Sequence, residues 1–231
     1  GLKGSKLEVK TLFITAFKQH IDDILETLEE AGIEVEDLVA APLAASLVTL
    51  NKQQKMAGVV LANISRETVS IVVFENNLPI SLEIFPIGSN DITNDIALGL
   101  RVPLEEAEDI KRGSIVGGNF SRKKLEEIVE ARLSDIFELV ENHLKKIKRS
   151  ELLPAGIVFV GGSANISGLT ELSKAVLRLP ASIGATEIFG NSKTKLRDSV
   201  WFTALGLVIS GRDNNGYSEG SFGNLLKDIK N

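Results

Sequence analysis

Apolar residues recur along this chain with two different periods, and the change from one to the other marks out its elements. Ile21, Ile24, Leu25 and Leu28 follow the i, i+3, i+4, i+7 spacing of one helical face, and Gly32 stands where a C-terminal cap belongs. Ahead of them LEVKTLFITAF, residues 7–17, is rich in Val, Ile, Thr and Phe and predicts a strand. LVAAPLAASLVTL, residues 38–50, predicts a short strand that breaks at Pro42 into an alanine-rich helix. Strand, helix and strand in that order suggest an α/β layer. Three strands are expected next, at 59–64, 69–75 and 78–87, with Asn76-Asn77 forming the second turn because Asn tolerates left-handed backbone.

Helical periods then dominate. Ser89 or Asn90 can cap a helix running through Leu100, and Pro103 opens another with Glu105 and Glu106 in its first turn, where the helix dipole favours anions. GSIVGGNF, residues 113–120, reads as a flexible loop. From about Ser121 to Lys148, Leu125, Ile128, Val129, Leu133, Ile136, Phe137, Val140, Leu144 and Ile147 form one apolar stripe, expected to pack against the core. GIVFV, residues 156–160, is short enough for a buried strand and leads into GGSANISG. A helix at 169–178, a strand near 181–188 and a helix over 198–210 follow. Residues 211–221, GRDNNGYSEGS, read as a disordered linker. The last ten residues place Phe222, Leu225, Leu226 and Ile229 on one helical face.

Composition narrows the function classes. The 231 residues are 43% hydrophobic and 25% charged, with a net charge of −5, so no electrostatic footprint for nucleic acid is expected. With no cysteine, disulfides, thiolate zinc ligands and thiol catalysis are excluded. The two histidines, His20 and His143, lie far apart, so neither a histidine metal site nor a Ser-His-Asp triad is expected. The chain opens at Gly1 and its single methionine is Met56, so it reads as a fragment or a processed product.

A strand-hairpin-strand followed by a helix and then a strand-Gly-Gly-helix is an arrangement able to hold a nucleotide, because glycines let a ligand approach the backbone and a helix N-terminus donates N–H groups. The candidate is Gly161-Gly162, which an ordinary turn would also explain. Glu108 and Lys111, three apart on one helix, read equally as an i,i+3 ion pair. Arg132 has Glu126 and Glu130 within reach on its own helix.

Read together, GSNDITNDIALGLRVPLEEAEDIK, EARLSDIFELV, LLPAGIVFVGGSANISGLTEL and LEVK…AGIEVEDLVAAPLAAS resemble the FtsA family of actin-like bacterial cell-division proteins, in order from about Leu7 to Gly211. PilM (pilus assembly) and MreB share that fold and match these phrases less well. The resemblance implies an α/β actin-like ATPase (ribonuclease H-like) fold with an incomplete first lobe and a helical inserted subdomain. Residues 1–57 would be the rear of the first lobe, 58–188 the second lobe with the insertion at about 100–150, 189–211 a helix returning to the lobes, 212–221 a linker and 222–231 the start of a membrane-targeting helix. Half of the ATP cleft would then be missing.

The resemblance also implies roles. In the phosphate hairpin, Asn63 and Ser70 stand where the family has its two aspartates and Ser65-Arg66-Glu67 where it has three glycines, with Ile64 at its hydrophobic position and Thr68-Val69 at its two threonine-like ones, so binding of ATP with Mg is expected to be weak or absent, with no hydrolysis and no catalytic residue. Asn63, Ser65, Arg66 and Thr68 on that hairpin, Gly161, Gly162 and Ser163 on the glycine turn, and Glu108 and Lys111 form the expected nucleotide set. Arg66 as a substitute phosphate clamp is the alternative at the hairpin. Arg122, Arg132 and Asp135 match a docking surface for the acidic, apolar tail of the ring protein FtsZ. Phe222, Leu225, Leu226 and Ile229 would meet the membrane, placing the protein peripherally on the cytoplasmic face of the inner membrane at the division site, with head-to-tail self-association a further expectation. The alternatives are a PilM-like assembly protein and a still-active actin-like ATPase.

Overall fold

The computed structural model describes residues 6, 8–9, 11–115, 120–186, 188 and 194–214. Helix α1 (Lys18–Glu30) forms on the predicted period and ends in the left-handed Gly32, but it buries no residue, and Ile24 remains 49% exposed. The described part of 6–17 forms no strand. Its β-branched composition is not enough, because an extended segment needs a partner for its N–H and C=O groups. No strand forms at 38–40 either; helix α2 (Ala41–Thr49) starts directly, with Pro42 in its first turn. Helix α3 (Lys52–Ala57) opens on a capping box, Asn51 and Gln54 each satisfying the other's backbone N–H.

Strands β1 (Val59–Ile64), β2 (Val69–Glu75) and β3 (Leu78–Phe85) form an antiparallel meander. Asn76 and Asn77 both take positive φ (53° and 65°), as their two-residue turn requires. Helices α4 (Ser89–Leu100), α5 (Leu104–Lys111) and α6 (Arg122–Lys146) follow, then β4 (Ile157–Val160), α7 (Leu169–Leu177), β5 (Ala181–Ile183) and, after two short 3-10 turns, α8 (Phe202–Asn214). Two boundaries differ from expectation: β5 is three residues long, and α8 runs on through 211–214, which had read as linker. The predicted membrane-facing residues 222, 225, 226 and 229 lie outside the described residues.

The sheet order is β3-β2-β1-β4-β5, so residues 59–85 and 157–183 lie side by side, with β1 parallel to β4 and β4 parallel to β5. Strands β1, β2 and β4 are buried on both faces, hence their nearly continuous apolar runs. Val60, Ala62, Ile64, Val69, Ile71, Val73, Ile157 and Phe159 point to one face, under α4, α5, α6 and α7. The α6 stripe packs there as expected, Phe137 meeting Phe159 at 5.8 Å between ring centroids. Val59, Leu61, Val72, Phe74, Val158 and Val160 point to the other, under α2 and α8. Those two helices approach so closely that a Cβ on Gly206 would fall on the Ala44 carbonyl.

Strand β3 is one edge of the sheet and β5 the other. The side of β3 toward the α6 layer is sealed by buried His143, which bonds Ser81 Oγ through Nε2 (2.7 Å) and faces Glu83 through Nδ1 (3.2 Å). Its other side leaves Leu78, Ile80 and Ile84 exposed.

Candidate functional site

Parallel strands β1 and β4 end together, and a cleft of about 910 Å³ opens at their carboxyl ends, between α4 and α5 on one side and the start of α8 on the other. A crevice at the carboxyl ends of parallel strands is where open α/β sheets bind ligands. Of the nine sequence-predicted nucleotide residues, Asn63, Ser65, Arg66, Glu108, Lys111, Gly161, Gly162 and Ser163 all line it. Thr68 does not; its carbonyl accepts from Ser65 N–H (2.9 Å) and closes the β1–β2 turn.

That turn is tied to α4. Ser89 and Asn90 N–H, free at the helix start, donate to the carbonyls of Ser65 (3.0 Å) and Arg66 (2.9 Å). The expected cap is thus corrected: Gly88 holds the cap position and donates to Asp91 (2.8 Å), while Ser89 and Asn90 are the first helical residues. Arg66 Nε donates to Asn90 Oδ1 (3.0 Å), and the Asn90 amide donates in turn to Glu67. On the facing loop, Gly161 has φ +94°, and a Cβ there would collide with the Asn63 amide oxygen and come within 2.6 Å of the Ile64 carbonyl. Ser199 Oγ donates to the Gly161 carbonyl (2.9 Å).

Glu108 and Lys111 do form the i,i+3 ion pair (2.6 Å), within a larger network. Lys111 Nζ also donates to Thr93 Oγ1 (2.7 Å) and Ser89 O (3.1 Å), so its three protons have three acceptors. Glu108 accepts from Thr93 (2.7 Å) and Arg112 Nε (2.8 Å). Burial alone would raise the Glu108 carboxyl; hydrogen bonds from Lys111, Thr93 and Arg112 and the Lys111 charge outweigh it and bring the carboxyl down to about 2. Ser89, Asn90, Thr93 and Asn94 on α4, Asn165 on the loop after β4 and Ser199 in the turn before α8 also line the cleft and were not foreseen, since only the tertiary fold brings them there.

A divalent ion on a nucleotide is held by carboxylates, directly or through its water shell. The strand ends offer Asn63, Ser65 and Ser163 instead, Glu67 is turned to Asn90, and among the described residues no three His, Cys, Asp or Glu come together. The cleft thus offers amide, hydroxyl and backbone donors at the strand ends, but no carboxylate there to hold a magnesium ion.

The proposed docking residues do not form one cluster. Arg132 makes a two-pronged bond to Asp95 on α4 (2.6 and 3.0 Å), not to Glu126 or Glu130, with Asp135 at 3.4 Å. Arg122 lies ten residues earlier, about 15 Å along the helix axis, fully in solvent with Glu126 at 3.6 Å.

Comparison with known proteins agrees with this geometry. The family model for cell division protein FtsA matches residues 60–206. Cell division protein FtsA of Bacillus subtilis is 32% identical over 226 residues, covering 89% of this chain and 50% of that protein. The chain spans about half the length of the curated relatives it matches. Among solved structures, MreB5 of Spiroplasma citri bound to ADP superposes with a TM-score of 0.70 at 15% identity, covering 88% of this chain and 69% of that one. The PilM-PilN type IV pilus biogenesis complex gives 0.68 at 19%, covering 83% and 57%. The fold is actin-like, and the chain belongs to the FtsA family of cell-division proteins.

Proposed function

We propose that the chain acts as a cell-division scaffold that links the FtsZ ring to the cytoplasmic membrane, binding nucleotide weakly and turning none over. The observation that carries this reading is the FtsA match over 60–206, which takes in every residue that lines the cleft and the whole of α6. No carboxylate stands at the strand ends to position an attacking water, which supports binding over turnover. In this reading Arg132, fixed by Asp95 and flanked by Asp135, and the exposed Arg122 are two separate points on α6 that an extended acidic FtsZ tail would touch. The segment 222–231 meets the inner-membrane surface from the cytoplasmic side. No described helix is long and apolar enough to cross a membrane. Head-to-tail association of actin-like subunits would array these contacts along the septum.

The test is binding of an FtsZ C-terminal tail peptide, read by fluorescence anisotropy, to wild type, Arg122→Ala and Arg132→Ala. Each variant is expected to lose at least about fivefold in affinity. Because Arg122 is solvent-exposed, its loss would not arise from unfolding. Equal affinity for all three proteins would count against the assignment.

A further inference from the structure

Two polar side chains at the floor of the cleft are more than nine-tenths buried and have no hydrogen-bond partner among the described residues. Asn63, near the end of β1, is 7% exposed, and Ser163, two residues after Gly161, is 9% exposed. Their bodies are buried while their polar ends open only into the cleft, so a ligand seated there is the partner that would complete them. The Gly162 N–H, on the same cleft wall, also lacks an acceptor, and the backbone there is open: a Cβ on Gly162 would meet nothing nearer than Val200 at 4.0 Å. An amide, a hydroxyl and a backbone N–H are all able to donate, which suits an oxyanion. Arg66 stands at the rim with one nitrogen on Asn90 and its remaining donors unpaired. Lys111 is already saturated by Ser89, Thr93 and Glu108. The cleft's other carboxylates, Glu105 and Asp109, are exposed on α5 and not on the strand ends.

We propose that this cleft holds the phosphate of a nucleotide directly, without a divalent cation. The inference deepens the reading of the cleft as a nucleotide site and rests on it. Where a carboxylate would repel phosphate unless a metal stood between them, the neutral Asn63 amide can donate to the phosphate oxygen itself. Ser163 Oγ and Gly162 N–H complete the cradle, and Arg66 supplies the charge that a metal would otherwise bring. Magnesium therefore becomes dispensable: it competes with Arg66 and the amide for the same oxygens and finds no carboxylate at the strand ends to hold it.

The experiment titrates the chain with ADP, adenosine and inorganic phosphate, each in EDTA and in excess Mg, by calorimetry. ADP is expected to bind in EDTA within about twofold of its affinity in Mg, and at least tenfold more tightly than adenosine. Asn63→Asp is expected to lose at least tenfold toward ADP in EDTA and to recover part of that loss on adding Mg. Ser163→Ala, with circular dichroism to verify its fold, is expected to weaken ADP and leave adenosine unchanged. ADP binding at least tenfold tighter with Mg would overturn the inference while keeping the nucleotide cleft. Adenosine binding as tightly as ADP would do the same. Inorganic phosphate binding as tightly as ADP would move the site from nucleotides to free phosphate and so refute it. No ADP binding in either buffer would overturn both the inference and the cleft reading, without touching the FtsZ assignment.

Discussion

At pH 7 Glu108 carries its charge between Lys111, Arg112 and Thr93, with its carboxyl lowered to about 2 from an ordinary 4.5. A carboxylate lowered on folding stabilises the fold above its unfolded value and stops doing so as the pH falls toward the folded one. The stability advantage of wild type over Glu108→Gln, measured by urea unfolding, should be constant above pH 5 and vanish between about 4.5 and 2. An advantage independent of pH would show that the carboxylate is not the group that joins α4 to α5. The Glu108–Lys111 spacing was legible in the sequence because i and i+3 share a helix face. Thr93 and Ser89 were not, since they reach this pair only through the crossing of two helices. Arg132 teaches the same: its own helix offered Glu126 and Glu130, but the rigid guanidinium fork took Asp95, 37 residues away, where both oxygens meet it in plane.

Element by element, period was the reliable signal where burial enforces it. Helix α6, with one stripe facing the sheet, and the doubly buried β1, β2 and β4 stand within two residues of their expected bounds. The described residues of 7–17 fail for the opposite reason: strand-like composition describes a surface that packs, and these residues stay exposed. The seating of α2 on α8 was invisible in either helix alone, because it depends on what Gly206 lacks. Gly206→Ala would push the helices apart at the Ala44 carbonyl and is expected to lower the unfolding free energy by about 3 kcal/mol. Gly211→Ala, on the same helix with nothing within 4 Å, serves as the control and should change little. A Gly206→Ala chain as stable as wild type would mean that the two helices slide freely.

For the molecule as a whole, strand order decides where chemistry can happen. The parallel β1–β4 pair brings the hairpin turn and the Gly-Gly turn, about a hundred residues apart, to one mouth. Order of this kind follows from how strands pair and not from any single segment, so a likeness over the whole chain revealed it where local patterns could only suggest a layer. The same order leaves β3 outermost, with one row of backbone groups lacking a strand among the described residues and with Leu78, Ile80 and Ile84 uncovered beside it. Such a border is an invitation to stray polypeptide in a crowded tube. Ile84→Lys, which places a charge on that border without touching the buried His143 side, should raise the concentration at which the warmed protein clouds, as followed by light scattering, while its melting temperature stays where it was. If turbidity sets in at the same concentration, clumping begins elsewhere on the chain.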